Sequence, residues 1–175
     1  MRWKGVNNDI DALAEPFKGR CLRLLDRIGR EGLPFVLFET HRTFTRSQEL
    51  WLRGRKIDPA TGLVKVVGAV VTKARPGEGP HTWRLAADFV LDTDMNHPWW
   101  AGEDSEDLPR GPWDATAPAL KLAWERLGRT AEACDLEWGG RWTFADLPHV
   151  QLRDWKKLRP ADWKAVVLRE LEAGR

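Results

Sequence analysis

The sequence has no tyrosine, only two cysteines and two methionines, and four histidines among its 175 residues. Two thiols do not make a disulfide framework. Cys21 and Cys134 each fall on the apolar face of a predicted helix and read as small core residues rather than a bridge or a nucleophile. Long hydrophobic runs are also missing: nothing approaches the roughly 20 apolar residues that span a bilayer. The start, "MRWKGVNNDIDALAEPF", has no apolar signal core. The expectation is a chain without an integral membrane segment, cytoplasmic as synthesised. Charge of one sign is lacking as well, with 28 basic against 26 acidic residues and a formal net charge of +2. With no long basic block, this argues against a nucleic-acid partner held by phosphate neutralisation. "RDWKKLR" reads as a solvated face. The eleven tryptophans are spread along the chain and read as core or cleft-wall residues.

At this length the most economical organisation is one domain over residues 1–175, with monomer as the default state. Phe17, Cys21, Leu24, Leu25 and Ile28 recur at helical spacing, and Gly32 is placed to end the helix. "PFVLFET" reads as a strand. "TRSQ", Thr45 to Gln48, matches a capping box and opens a helix through Trp51 that Gly54 terminates. Between the loops "DPATG" and "RPGEGP", the β-rich "LVKVVGAVVT" suggests a strand or hairpin. Residues 93–115, rich in Asp, Pro, Gly and Trp, read as a long irregular excursion. Leu120, Trp124, Leu127, Ala131 and Cys134 then mark a helix that ends before "EWGGRW". A short strand "PHVQL" and a final helix from about Pro160 complete an α+β pattern, a small and mainly antiparallel sheet flanked by helices.

One polar residue sits where the pattern should exclude it. Asp88 interrupts the strand-like run "LAADFVL", and a buried carboxylate is costly unless paired, hydrogen-bonded or bound to metal. Strand alternation puts Ala86, Asp88 and Val90 on one face, opposite Leu85, Ala87, Phe89 and Leu91. The loop "RPGEGP" delivers His81, and "FADLPHVQL" holds His149 with Asp146 three residues before it. Catalytic zinc takes three protein ligands and leaves a position for water, and His81, Asp88 and His149 would supply such a set. Asp146 could then accept a proton from that water. The spacing is equally satisfied by an arginine partner for Asp88 and ordinary polar roles for the histidines.

"HTWRLAAD", followed far downstream by "EWGGRWTFADLPHVQL", resembles the zinc peptidases that include VanX- and VanY-type D-alanyl-D-alanine peptidases and phage L-alanyl-D-glutamate endolysins. Their pattern is Ser-x-His-x-x-Gly-x-Ala-x-Asp, then an acidic residue three before a second His. "FETHRTFTRSQELW", "VVTKARPGEGPH", "LAADFV" and "LEWGGRW" are similar to blocks of the endolysin branch in the same order, from about residue 10 to residue 153. The resemblance implies that His81, Asp88 and His149 bind zinc in a surface cleft, that Asp146 is the general base, and that Arg42 of "ETHRT" stabilises the oxyanion. A salt bridge from Arg42 to Glu39 is the competing role. Gln151, on the side of His149, is placed for substrate or for the layer behind the ligands.

The implied activity is bacteriolytic hydrolysis of the L-alanyl-D-glutamate amide in the peptidoglycan stem peptide, acting on the cell wall after release through a membrane lesion by the host lysis machinery. The alternatives are a D-alanyl-D-alanine carboxypeptidase and a zinc-bearing, non-catalytic wall-binding module. Two positions depart from the pattern: Gly79 stands where the family has serine, and Arg84 where it has glycine. "DTDMNHPWWAGE", Asp92 to Glu103, has a calcium loop's acidic spacing but His97 at the glycine position, and reads as an acidic loop.

Overall fold

The structure is a computed structural model, and it describes residues 6–92 and 111–173. Helix α1 (Phe17–Arg30) buries Phe17, Cys21, Leu24 and Ile28 at the spacing read from the sequence, and the chain leaves it through Gly32 at φ 60°. β1 (Phe35–Glu39) follows directly. Helix α2 (Phe44–Leu52) is capped by Thr43, whose side chain accepts from the Arg46 amide. The expected capping box at Thr45 therefore sits two residues too late. The hydroxyl that meets a free amide of the first turn belongs to Thr43, and Thr45 lies within the helix.

Gly54, at φ 74°, turns the chain into β2 (Arg55–Ile57), which pairs with β3 (Val64–Val66) in a separate two-stranded ribbon. Only the first part of "LVKVVGAVVT" is strand. Beyond Val66 the amides of Val67 and Gly68 turn onto the Gly54 carbonyl, so the ribbon closes instead of lengthening. β4 (Ala86–Leu91), α3 (Pro118–Glu132), β5 (Leu136–Trp138), β6 (His149–Leu152) and α4 (Trp163–Ala173) complete the order. The irregular excursion is described only at its ends, and the acidic loop with His97 falls mostly outside the described residues.

The main sheet runs β1-β4-β6-β5 with every neighbouring pair antiparallel. This is the expected α+β class. One face of the sheet is core: Phe35, Ala87, Phe89, Leu91, Leu136, Trp138, Val150 and Leu152 join the apolar faces of α1 and α3 in one cluster. Gly128 of α3 admits the Trp138 ring, since a Cβ there would meet it at 2.1 Å. Cys134 lies just past the end of α3 but is buried, as is Cys21, and both thiols are free. Burial, with a smaller contribution from Cys134, pushes the Cys21 thiol up to about 12. A thiol so far from ionisation is a packing residue.

The opposite face carries the polar groups. Asp88 pairs in register with His149 on one side and with Glu39 on the other. The second pairing depends on an irregularity in β1. Leu37 pairs with Phe89, but the next pair is Glu39 with Asp88, so one extra residue is accommodated at Phe38. Without that bulge, alternation would turn Glu39 toward the core with Phe35 and Leu37. With it, Glu39 lies beside Asp88 on the polar face.

Candidate metal centre

His81 reaches the polar face from a 3-10 turn, Pro80–Trp83, that opens on a proline and ends at Arg84 in the left-handed region, φ 64°. That backbone accounts for the glycine expected at this position. Arg84 occupies it with its guanidinium donating to the Ala12 carbonyl, and its own carbonyl accepts from Ala14. At Gly79 the φ is −106°, and a Cβ would make only an ordinary 3.6 Å contact with Ala74, so the expected serine would fit.

Candidate ligand atoms of His81, Asp88 and His149 lie within 4.8 Å of one another. His81 Nε2 is 3.1 Å from Asp88 Oδ1 and 3.3 Å from His149 Nδ1, and His149 Nδ1 is 3.2 Å from the same carboxylate oxygen. The outward-facing ring nitrogens decide what these atoms can do. His81 Nδ1 donates to the Thr40 carbonyl at 2.9 Å, which leaves a lone pair on its inward Nε2. Thr40 is fully buried and pinned by its amide and hydroxyl to the Asn7 carbonyl, so the acceptor is fixed. His149 Nε2 faces Gln151 Oε1 at 3.0 Å, so in the neutral ring the inward Nδ1 is unprotonated as well. Two imidazole lone pairs and a carboxylate oxygen thus converge with no donor between neutral rings. Such a set repels itself unless a cation or proton sits among the three, and its N, N, O composition suits zinc.

Burial pushes the Asp88 carboxyl up, but in the metal-free site the charge of a protonated His81 and the hydrogen bonds that both rings donate when protonated more than offset this and hold it well below the usual carboxylate range. For His149, burial lowers the pKa, while the hydrogen bond to Asp88 and the Asp88 and Asp146 charges raise it further than burial lowers it. Arg42 reaches the same carboxylate: its Nη2 is 3.2 Å from Asp88 Oδ2, and its Nε donates to Glu39 Oε2 at 3.0 Å. The salt bridge to Glu39 read from the sequence is present, and it is shared with Asp88. Arg42 therefore supplies the counter-charge for two carboxylates that the bulge makes neighbours.

Asp146 stands at the mouth of a cleft of about 940 Å³ whose walls include Arg42, Arg46, Trp142, His149 and Gln151. Its side chain is open to the cleft, yet the surrounding walls displace enough water to raise its pKa. The Asp88 charge adds to this, and His149, His81 and Arg42 oppose it. The His149 amide donates to the Asp146 carbonyl at 3.2 Å, so the turn that carries Asp146 leads straight into the ligand strand. Gly139 makes room for this turn, because a Cβ there would stand 2.5 Å from the Asp146 carbonyl oxygen.

All six site residues singled out in the sequence, His81, Asp88, His149, Asp146, Arg42 and Gln151, line this one cleft. Gln151 is buried behind His149 and donates from Nε2 to Glu137 Oε2 at 3.1 Å, while Trp142 Nε1 donates to Glu137 Oε1 at 2.7 Å. Thr40, Glu137 and Trp142 were not distinguished by sequence. They lie inside the blocks "ETHRT" and "LEWGGRW", but only the register reveals what they touch.

Residues 72–152 match the family described as D-alanyl-D-alanine carboxypeptidase. The peptidoglycan L-alanyl-D-glutamate endopeptidase CwlK of Bacillus subtilis (strain 168) is 30% identical over 123 residues, covering 70% of this chain. The chain spans 62% of that protein's length. The crystal structure of the Serratia marcescens L-Ala D-Glu endopeptidase ChiX aligns with 91% of this chain and 95% of its own, at a TM-score of 0.48 and 16% identity. The family resemblance read from the sequence is borne out.

Proposed function

We propose, on the match of residues 72–152 to the family described as D-alanyl-D-alanine carboxypeptidase, that the protein is a zinc-dependent peptidoglycan hydrolase that cleaves the L-alanyl-D-glutamate amide of the stem peptide. One observation carries the reading: three buried or half-buried acceptors, His81 Nε2, Asp88 Oδ1 and His149 Nδ1, converge with the donors of both rings turned outward. The choice of amide follows the endopeptidase relative, which acts on that bond by its name.

When bound, zinc supplies a Lewis acid that lowers the pKa of water toward about 7. The protein's own groups divide the remaining work. Asp146, its pKa raised by its surroundings, accepts the proton of the attacking water and returns it to the departing amine. Arg42, held by Glu39 and Asp88, keeps Nη1 outside those bonds and presents positive charge to the carbonyl oxygen as it becomes anionic. Trp142 and the cleft walls bury the peptide around the reacting bond. In this reading the chain works as a monomer, is made in the cytoplasm, and reaches the wall in the manner of an endolysin.

Digestion of purified peptidoglycan tests metal, substrate and bond together. New amino termini on D-glutamate, abolished by a chelator and restored by zinc, are expected. Release of free D-alanine instead would move the protein to the carboxypeptidase activity, and chelator-insensitive cleavage would overturn the metal mechanism. Asp146→Asn should keep its zinc and its fold while losing about 100-fold or more in turnover. Loss of zinc in that variant would make Asp146 a ligand.

A further inference from the structure

Behind His149 runs a chain of hydrogen bonds in which each direction is forced. The indole Nε1 of Trp142 can only donate, and it donates to Glu137 Oε1 at 2.7 Å. The Glu137 carboxylate can only accept, so at 3.1 Å its Oε2 draws the amide nitrogen of Gln151, not the amide oxygen. That orientation turns Gln151 Oε1 onto His149 Nε2 at 3.0 Å, and this ring nitrogen must then carry the proton. The other nitrogen, Nδ1, is the one that faces Asp88 and His81. Gln151 is buried, and both Glu137 and Trp142 are partly so, which leaves little room for water to substitute in the chain.

We propose that Glu137, oriented by Trp142 and acting through the Gln151 amide, sets the tautomer of His149 and thereby keeps Nδ1 free to bind the metal. Glu137 is a positioning residue: it touches neither the ligand set nor the cleft's reacting groups. The inference rests on His149 being a metal ligand, but the tautomer itself is a property of the metal-free protein. The same logic runs on the other histidine by a simpler device, a backbone carbonyl at Thr40. A carbonyl cannot be reversed, whereas a glutamine amide can flip, so only the His149 side needs a carboxylate behind it.

The test exploits that difference. Glu137→Gln changes one oxygen to a nitrogen with almost no change of shape. Trp142 still demands an acceptor and takes the new side chain's only oxygen, so its NH2 faces Gln151. Gln151 must then flip, present its NH2 to His149 Nε2, and move the ring proton to Nδ1. The tautomer is read from 15N shifts of histidine-labelled, metal-free protein at a pH where the ring is neutral, and zinc affinity by chelator competition.

Wild type is expected to hold Nε2–H. Glu137→Gln is expected to hold Nδ1–H with zinc affinity lowered about 10-fold or more. The double variant Glu137→Gln with Trp142→Phe frees the amide oxygen to accept from Gln151 and should restore both. An unchanged Nε2–H tautomer in folded Glu137→Gln overturns the proposal, as does an affinity loss that persists in a double variant showing the wild-type tautomer. Where Glu137→Gln does not fold, Glu137→Ala serves: a mixture of the two tautomers supports the relay, and a single Nε2–H form overturns it. If the tautomers respond as stated but wild type binds no zinc, the relay stands and the ligand assignment fails.

Discussion

Arg42 is the residue whose meaning changes most between sequence and structure. Glu39 and Asp88 are adjacent in register, both buried or nearly so, and Arg42 is bonded to each. Removing one partner of a buried charge pair costs about 3–5 kcal/mol, because the remaining charge is left uncompensated. Arg42→Ala should therefore destabilise the metal-free protein by about that much, and less with zinc, whose charge compensates Asp88. Adding Glu39→Gln should recover much of the loss, since one of the two carboxylates is then neutral. Thermal unfolding of the three chains with and without zinc checks this. Equal destabilisation in both states would show that Asp88 does not feel the metal. The ligands themselves were legible as residues, because a carboxylate in an apolar run and a histidine in a second one are anomalies of composition. Glu39 was legible only as a salt-bridge partner for Arg42: its place beside Asp88 depends on the bulge at Phe38, which leaves no trace in hydrophobic alternation.

At the scale of elements, the sequence disclosed what periodicity controls and missed what pairing controls. α1, α3 and β4 follow from apolar spacing, and the residues expected on the apolar faces of α1 and α3 all belong to the core or pack against it. β5 was missed because three residues, Leu136 to Trp138, are too few to show a period, and it exists by pairing with β6. The turn between these two strands brings Asp146 and His149 into one site, and Gly139 is the point where it closes. A methyl group there would meet backbone, at 2.5 Å from the Asp146 carbonyl oxygen, so it cannot be relieved by rotating a side chain. Gly139→Ala is expected to cost about 1–3 kcal/mol and to lower zinc affinity by displacing His149. Denaturant unfolding and metal competition measure the two effects. A variant with full stability and affinity would show that the turn is more compliant than its contacts suggest.

For the whole molecule, the two faces of one sheet divide the labour, with core residues and site residues alternating along the same strands. Protonation ties the faces together. His149 holds its proton above the ordinary imidazole range, so in metal-free protein this group stabilises the fold below its unfolded pKa, and that contribution is lost as pH rises through the folded value. Asp88, held low, contributes above the unfolded carboxylate pKa and is lost as pH falls through its folded value. Metal-free protein should thus be most stable at mildly acidic pH. Zinc must displace the His149 proton, so its affinity should rise with pH and carry the stability optimum upward. Melting temperatures across pH, with zinc and with chelator, should show the two optima apart, and coincident optima would refute the linkage.

His149 lies 61 residues along the chain from Asp88 and 68 from His81. The centre therefore has no local precursor: it comes into being only when β6 has docked on β4, a contact that closes a long loop and is slow to find. The site is in effect a clock for the docking of β6 on β4. In a refolding jump, high-affinity capture of zinc should appear at the rate at which the sheet forms, independent of zinc concentration once metal is in excess. Faster capture that grows with concentration would mean that the ligands meet before the strands do.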